Sequence, residues 1–346
     1  MRTGHPMAMF TLETKDSEKT KLCAKGPRER DRKIASLRKS KSVTVRTALP
    51  SDIPAIWALI QPMYQIRRPI DFYQWLFFQN VDPTPLLCAF DEDELIGTFA
   101  IQRRRLTNQA VCGQEVGINV ASHWQGKGLF SLLGETAVRR SQDFDLFCVF
   151  ANAAGKVSCE RSLGFHTLGL IETMALDVSK LGEEELTCTV EKIDGTCSLG
   201  PFHYPSAKIS FETSNRYRLW RYAENPVYRY HRVQLETGEF AVVKTFADPM
   251  SGTLYGDIVD FEADQNREEK LRDLFLQASL FLKELGAEWV TTWALQGTAS
   301  RAAIIGLGFK AEQRDTYFSI KVMNPLHDHL LDFSQWYLRQ SDATNY

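Results

Sequence analysis

Val120-Ala121-Ser122-His123-Trp124-Gln125-Gly126-Lys127-Gly128-Leu129-Phe130 is the stretch on which the fold reading turns. It joins an alternating segment, Ala110 to Val120, to one with helical periodicity, Leu129 to Ser141. A strand entering a glycine-rich turn and then a helix presents several backbone N–H groups, and the positive end of the helix dipole, to one point, which suits a pyrophosphate. Glycine permits close approach of phosphate oxygens and any positive φ the turn requires. An ordinary structural turn can also read Gly-Lys-Gly before a helix, so the surroundings decide.

Upstream, Val43 to Arg46 reads as a short strand, and Pro50-Ser51-Asp52 as a turn and N-cap before a helix over Ile53 to Met63. Leu86 to Phe90 and Leu95 to Arg103 read as strands joined by the acidic turn Asp91 to Glu94. Downstream, Phe144 to Phe150 reads as a buried strand and Lys156 to Leu163 as a short helix ending at Gly164. These elements predict a mixed α/β (α+β) fold with a mostly antiparallel central sheet flanked by helices.

The pattern recurs. Trp75-x-x-x-x-Asn80 is matched by Trp220-x-x-x-x-Asn225, Thr98-Phe99-Ala100 by Thr245-Phe246-Ala247, and Leu163-Gly164-Phe165 by Leu307-Gly308-Phe309. Three matches in order at near-constant spacing predict two tandem domains of one kind. The expected layout is a disordered basic tail over 1–42, a first domain over 43–178, a linker over 179–205, a second domain over 206–325 and a C-terminal extension over 326–346. A length of 346 residues suits two domains.

Of 41 Lys and Arg, 12 fall in residues 1–42 against 5 acids, so a net charge of -2 hides a basic N-terminus. With no periodicity to bury a face, Lys19 to Ser42 reads as a flexible, solvated arm; its charge suits nucleic acid or a membrane surface, but no fold signature accompanies it, so neither is the expected partner. No apolar run is long enough to span a bilayer and no secretory signal is recognised, so the expected address is cytoplasmic, away from membranes. Seven cysteines without a Cys-x-x-Cys pair argue against disulfides and structural zinc. His327 and His329 lack partners at ligand spacing, so no metal is expected. The sequence leaves homo-oligomerisation open.

Gln125-Gly126-Lys127-Gly128-Leu129-Phe130 resembles the acyl-CoA loop of the GNAT acyltransferases, Gln/Arg-x-x-Gly-x-Gly/Ala. Gln125 and Gly128 match its first two fixed positions, and Phe130 departs from the third, which requires its side chain to turn away from the ligand. Asn152 followed by Leu163-Gly164-Phe165 resembles the family's second region, in which an Asn contacts the pantetheine arm. The resemblance spans residues 43 to 175. It implies acetyl-CoA as cosubstrate, with Ile118, Asn119 and Val120 giving strand amides to pantetheine, and Gln125 through Phe130 together with Asn152 completing the cofactor site. The competing readings are a turn residue at Asn152, core residues at Ile118 and Val120, and a solvated Lys127. The second half has the acidic run Glu262 to Glu269 where the first has its glycine loop, which reads as a degenerate domain that repels a pyrophosphate.

Transfer to an amine needs a neutral nucleophile, hence a base, and a donor for the departing thiolate. Glu115 is the candidate base, with a surface carboxylate as its competing reading. Glu160, beside Cys159, stands where the family often has an acidic Tyr. The resemblance implies an N-acetyltransferase acting on a small-molecule amine, and the ending Trp336-Tyr337-Leu338 to Asp342 resembles tandem chains of surface-polysaccharide gene clusters, which implies an amino sugar. The alternatives are a noncatalytic acyl-CoA-binding module and an acyl-carrier-protein-linked acyltransferase or decarboxylase.

Overall fold

The computed structural model describes residues 27–40, 42–64, 66–82, 84–197, 199 and 208–344. In chain order the first half comprises α1 (Pro27–Lys39), β1 (Val43–Thr47), α2 (Ile53–Ile60), α3 (Ile70–Phe78), β2 (Leu86–Asp91), β3 (Glu94–Arg105), β4 (Val111–Val120), α4 (Leu129–Arg140), β5 (Leu146–Ala151), α5 (Ala153–Leu163) and β6 (His166–Asp177). The second comprises β7 (Thr189–Lys192), α6 (Asn215–Arg218), β8 (Tyr230–Gln234), β9 (Phe240–Ala247), β10 (Leu254–Glu262), α7 (Glu268–Glu284), β11 (Trp289–Trp293), α8 (Ala299–Gly306) and β12 (Lys310–Val322). The mixed α/β architecture and the repeated element order agree with the sequence.

The 12 strands among the described residues form one sheet, ordered β1-β2-β3-β4-β5-β12-β6-β11-β10-β9-β8-β7. The halves have exchanged their last strands. β12 runs antiparallel to β5, from Tyr317 opposite Ala151 to Val322 opposite Leu146, while β6 pairs with β11 from Thr173 opposite Trp293 to Asp177 opposite Trp289. β6 and β12 also pair with each other, from Ala175 opposite Lys310 to His166 opposite Ile320. The domain limits expected at 178 and 206 therefore divide the chain, but not the sheet.

The repeated tryptophans meet on the line relating the halves. Trp75 and Trp220 stack with ring centroids 4.6 Å apart and planes 16° apart. Trp75 Nε1 donates to the Trp220 carbonyl at 2.9 Å and Trp220 Nε1 to the Trp75 carbonyl at 3.2 Å. Both indoles are buried with their N–H groups satisfied, which removes the cost of desolvating them. Asn80 and Asn225 occupy matching turns, where their Oδ1 atoms accept from Asp82 N and from Val227 N and Tyr228 N. Gly164 and Gly308 follow α5 and α8 with φ of 73° and 94°.

Four expectations are corrected. Thr98-Phe99-Ala100 and Thr245-Phe246-Ala247 are not equivalent: Thr245 lies opposite Gly256, and at the matching place in the first half Arg103 lies opposite Gly113. Those glycines are the middle members of the parallel pairings β10 with β11 and β4 with β5, so the likeness is one of strand composition. The linker over 179–205 contains β7, which pairs with β8 as the far edge strand. Within the tail expected to be disordered, residues 27–39 form a helix, because Ile34 and Leu37, one turn apart, bury themselves against α4. Two apolar positions are too few to register as a sequence pattern. Residues 1–26 lie outside the described residues. Asp52, expected to cap α2, instead accepts from Leu49 N at 2.7 Å and binds Arg46 through both oxygens at 2.7 and 2.8 Å.

Residues 43–178 or 206–346 expressed alone would lack the strand seated beside β5 or β11 and expose an apolar edge. Each half alone should aggregate, and the two co-expressed should reassemble into one species by size-exclusion chromatography. A soluble, monomeric half with a cooperative melt would show that the exchange is dispensable.

Candidate functional site

β4 and β5 pair in parallel only from Cys112 opposite Leu146 to Gln114 opposite Cys148. β4 runs on to Val120 and β5 to Ala151, so beyond Gln114 the two diverge, with Ile118 to Val120 on the open edge. A bulge between Val116 and Asn119 turns β4 there. Gly117 takes φ +57° at the bulge, and a Cβ on it would lie 2.6 Å from Phe77 of α3, so glycine is required by conformation and by contact. Ile118 and Val120 lean toward the core beneath α4.

The loop leaves the strand through Ala121, whose N–H donates to Ile96 O at 2.9 Å, and makes one 3₁₀ turn over Ser122–Trp124. Gly126 and Gly128 adopt φ of 72° and 92°, and Gly128 becomes the N-cap of α4. The amides of Gly128, Leu129 and Phe130 open the helix with no intrahelical partner, so their N–H groups share the positive end of its dipole. Leu129 is 1% exposed, and Phe130 turns inward to meet Phe99 at 6.1 Å between ring centroids. The departure at Phe130 thus leaves the loop's outer face to the backbone. Gln125 Nε2 folds back toward Val120 O at 3.4 Å, and Lys127 Nζ lies 4.7 Å from the Trp124 ring centroid. Asn152 N-caps α5, its Oδ1 accepting from Gly155 N at 2.8 Å, at an exposed position where β5 ends.

On the opposite side of the parted strands, α2 and α3 face the bulge across a small open cleft. Tyr64, Arg68, Phe72, Tyr73 and Phe77 line it with Gly117, Asn119 and Thr344. A chain of hydrogen bonds fixes Asn119: Tyr64 Oη donates to its Oδ1 at 3.3 Å, its Nδ2 donates to Thr98 Oγ1 at 3.3 Å, and Thr98 Oγ1 donates to Gly117 O at 2.8 Å. The Arg68 guanidinium lies over Phe72 at 4.3 Å. Burial raises the Tyr64 hydroxyl above its ordinary range and pushes Tyr73 up to about 12. Of this wall, only Asn119 was legible in the sequence. The run Phe72-Tyr73-Gln74-Trp75-Leu76-Phe77-Phe78 carries the missed signal: more aromatics than a single packing face needs.

Glu115 and Glu160 do not line the cleft. Glu115 is 4% exposed, which overturns its reading as a surface carboxylate, and it lies under α5 with Cys159 Sγ 3.9 Å from its Oε2. Burial pushes its pKa up to about 8, with Lys321 and Cys159 acting to lower it. Glu160 is half-buried on α5 beside Cys159. Among the described residues no cluster of metal-ligating side chains occurs, and no helix is long and apolar enough to cross a membrane.

The second half repeats the divergence. β10 and β11 pair from Tyr255 opposite Trp289 to Asp257 opposite Thr291, and β10 bulges between Ile258 and Asp260. Here the C-terminal segment bridges the parting strands. Arg339 Nη1 binds Asp260 of β10 at 2.6 Å, and Gln340 Nε2 donates to Thr291 Oγ1 of β11 at 3.3 Å. Tyr222 Oη and Ser341 Oγ also donate to Asp260, at 2.7 and 3.1 Å. Nearby, Lys244 and Asp257 form a fully buried ion pair at 2.6 Å. The loop that follows carries no glycine, and Glu268 and Glu269 occupy the first turn of α7. Arg221 holds Ala343 O at 2.7 Å as the segment continues to Thr344 at the first half's cleft.

No protein-family model and no curated protein matches the sequence. Solved structures do match the fold. A GCN5-related N-acetyltransferase from Kribbella flavida superposes with a TM-score of 0.54 at 13% identity, covering 82% of this chain and 72% of that one. One from Anabaena variabilis gives 0.57 at 10% identity, covering 82% and 73%. The N-myristoyltransferase of Saccharomyces cerevisiae, solved with bound myristoyl-CoA, gives 0.60 at 10% identity, covering 82% and 83%. The chain therefore has the GNAT fold.

Two outcomes follow for the buried charges. Since burial raises the Glu115 pKa from 4.5 to about 8, the native state retains a proton that the unfolded state releases across that window. Stability should fall as pH rises through the window, by up to about 1.4 kcal/mol per pH unit, and level off above it. Glu115→Gln should flatten that slope in denaturant titrations, and an unchanged slope would reassign it. Arg339→Met leaves the Asp260 carboxylate buried without its cation and should cost about 3–5 kcal/mol in the same measurement.

Proposed function

We propose that the chain is an acyl-CoA-dependent N-acyltransferase whose first half holds the thioester and whose cleft at Gly117 receives a small-molecule amine. The observation that carries this reading is the juxtaposition of three features: strands β4 and β5 that part beyond Gln114, a positive-φ loop that opens α4, and a cleft behind the bulge. An acyl-pantetheine arm lying between the strands would present its carbonyl at the bulge, with its pyrophosphate on the loop amides. Ile118 to Val120 would serve the pantetheine, Gly126 to Phe130 the phosphates, and Asn152 the arm where β5 ends.

In the reaction the amine nitrogen attacks the thioester carbonyl, a strand amide stabilises the oxyanion, and the C–S bond breaks as the thiolate leaves. The attacking nitrogen loses a proton to water and the thiolate regains one. Tyr64 and Tyr73 are phenols on the cleft wall, and burial raises both hydroxyls, which keeps them protonated, as a donor must be. Glu115 and Glu160 lie off that wall, so we assign the direct proton transfers to neither.

Acetyl-CoA is the proposed donor, and an amine such as an amino sugar the proposed acceptor, received where Tyr64, Arg68 and Tyr73 face Gly117 and Asn119. The second half supports the first without a site of its own, because its strand opening is bridged by Arg339 and Gln340 and its loop is acidic.

Saturating acetyl-CoA should raise Tm by several degrees, as about 2.7 kcal/mol of stabilisation at a hundredfold excess over Kd would. An amine panel should then release free thiol with one acceptor class. A Tm unmoved by every CoA thioester would refute the reading, and binding without turnover would favour an acyl-CoA-binding module.

A further inference from the structure

We propose that Lys33, carried by the basic N-terminal helix α1, binds phosphate at the acyl-CoA site and completes the pyrophosphate loop. The inference rests on the reading of that loop given above. It assigns a role to a helix that the GNAT-like elements of the chain do not include.

α1 is docked beside the loop, on α4 and on the end of α5, at several independent points. Ile34 and Leu37, 3% and 8% exposed, enter the cluster that holds Leu129, Leu132 and Leu133 of α4. Arg38 pairs with Glu135 of α4 at 3.0 Å, and Arg30 Nη1 donates to the carbonyls of Arg161 and Ser162 at 3.3 and 3.2 Å, where α5 ends. These contacts fix the register and direction of the helix. A Cβ on Gly128 would lie 3.0 Å from Lys33 Cβ, so the residue that opens α4 is also the point where α1 touches the loop.

From that point the Lys33 side chain reaches over the loop, and its Nζ donates to Gly126 O at 2.8 Å. A carbonyl on the proposed phosphate loop repels an anion. An ammonium seated on it cancels that repulsion and adds a full charge beside the first-turn amides. Glu29, one turn earlier, lies 3.5 Å from the same ammonium, and the Lys33 side chain keeps 35% of its exposure, which leaves it room to move onto a phosphate oxygen. Lys127, the cation within the loop itself, rests over Trp124 instead.

The test compares CoA with pantetheine, which lacks the phosphates, by calorimetry on the full chain. Lys33→Met should weaken CoA binding by about tenfold or more, the size of one charged hydrogen bond, and leave pantetheine binding unchanged. Lys33→Arg should recover most of the loss, and raising the salt concentration should narrow the gap between wild type and Lys33→Met. Equal losses for both ligands would mark Lys33 as structural and overturn the proposal, as would unchanged CoA binding. Tighter CoA binding in Lys33→Met, or on removing residues 1–40, would make α1 an obstruction. Wild-type protein that binds neither ligand would sink the reading of the loop itself, and this inference with it.

Discussion

β12 lies between β5 and β6, and the rest of the molecule depends on that insertion. Over Tyr317 to Ile320, β12 is paired on both edges, whereas β5 or β11 without its borrowed neighbour would be an open apolar edge at the centre of the protein. The exchange makes each half incomplete alone and sets the two side by side in one sheet. The Trp75 and Trp220 stack then closes the same junction from the helical side, each indole donating to the backbone of the other. Neither device tolerates rotation of one half against the other, so the cleft at Gly117 and the segment that reaches it are held in fixed relation.

Much of the fold was legible because its signals are local. Alternation gave the strands, and the spacing of Trp75, Trp220 and the two Leu-Gly-Phe units exposed the duplication. Gly164 and Gly308 are where they are because both helices end in left-handed backbone. What was hidden is non-local. Nothing in Lys310 to Val322 announces that it pairs with β5 and β6 rather than with its own half, since strand pairing is chosen by the whole sheet. The helix over 27–39 was missed because its burial rests on Ile34 and Leu37 alone, and charge dominates the remainder.

The candidate site divides in the same way. The glycine loop is a contiguous stretch with strict conformational demands, so its residues could be named in advance, and even Phe130 could be expected to turn away. The cleft is assembled from α3, the bulge and the C-terminal segment, which meet only in the folded chain. Glu115 shows the limit of strand-face reasoning: a carboxylate in an alternating strand reads as exposed unless the helix that will cover it, α5, is known to lie there.

The asymmetry between the halves has a physical basis in how each strand opening is satisfied. In the first half the bulge at Gly117 leaves a cleft walled by aromatic rings, with the polar groups of Asn119, Thr98 and Tyr64 paired among themselves. In the second half the equivalent region holds Asp257 and Asp260, and two carboxylates brought into so dry a place require cations and hydroxyls in contact with them. Lys244, Thr291, Arg339, Tyr222 and Ser341 meet that demand. Buried ion pairs of this kind contribute little net stability but penalise every arrangement that breaks them, and so specify position. Arg339 is thereby pinned to Asp260, and the segment after it has one course to follow. The acids that close the second opening thus also deliver Thr344 to the cleft of the first.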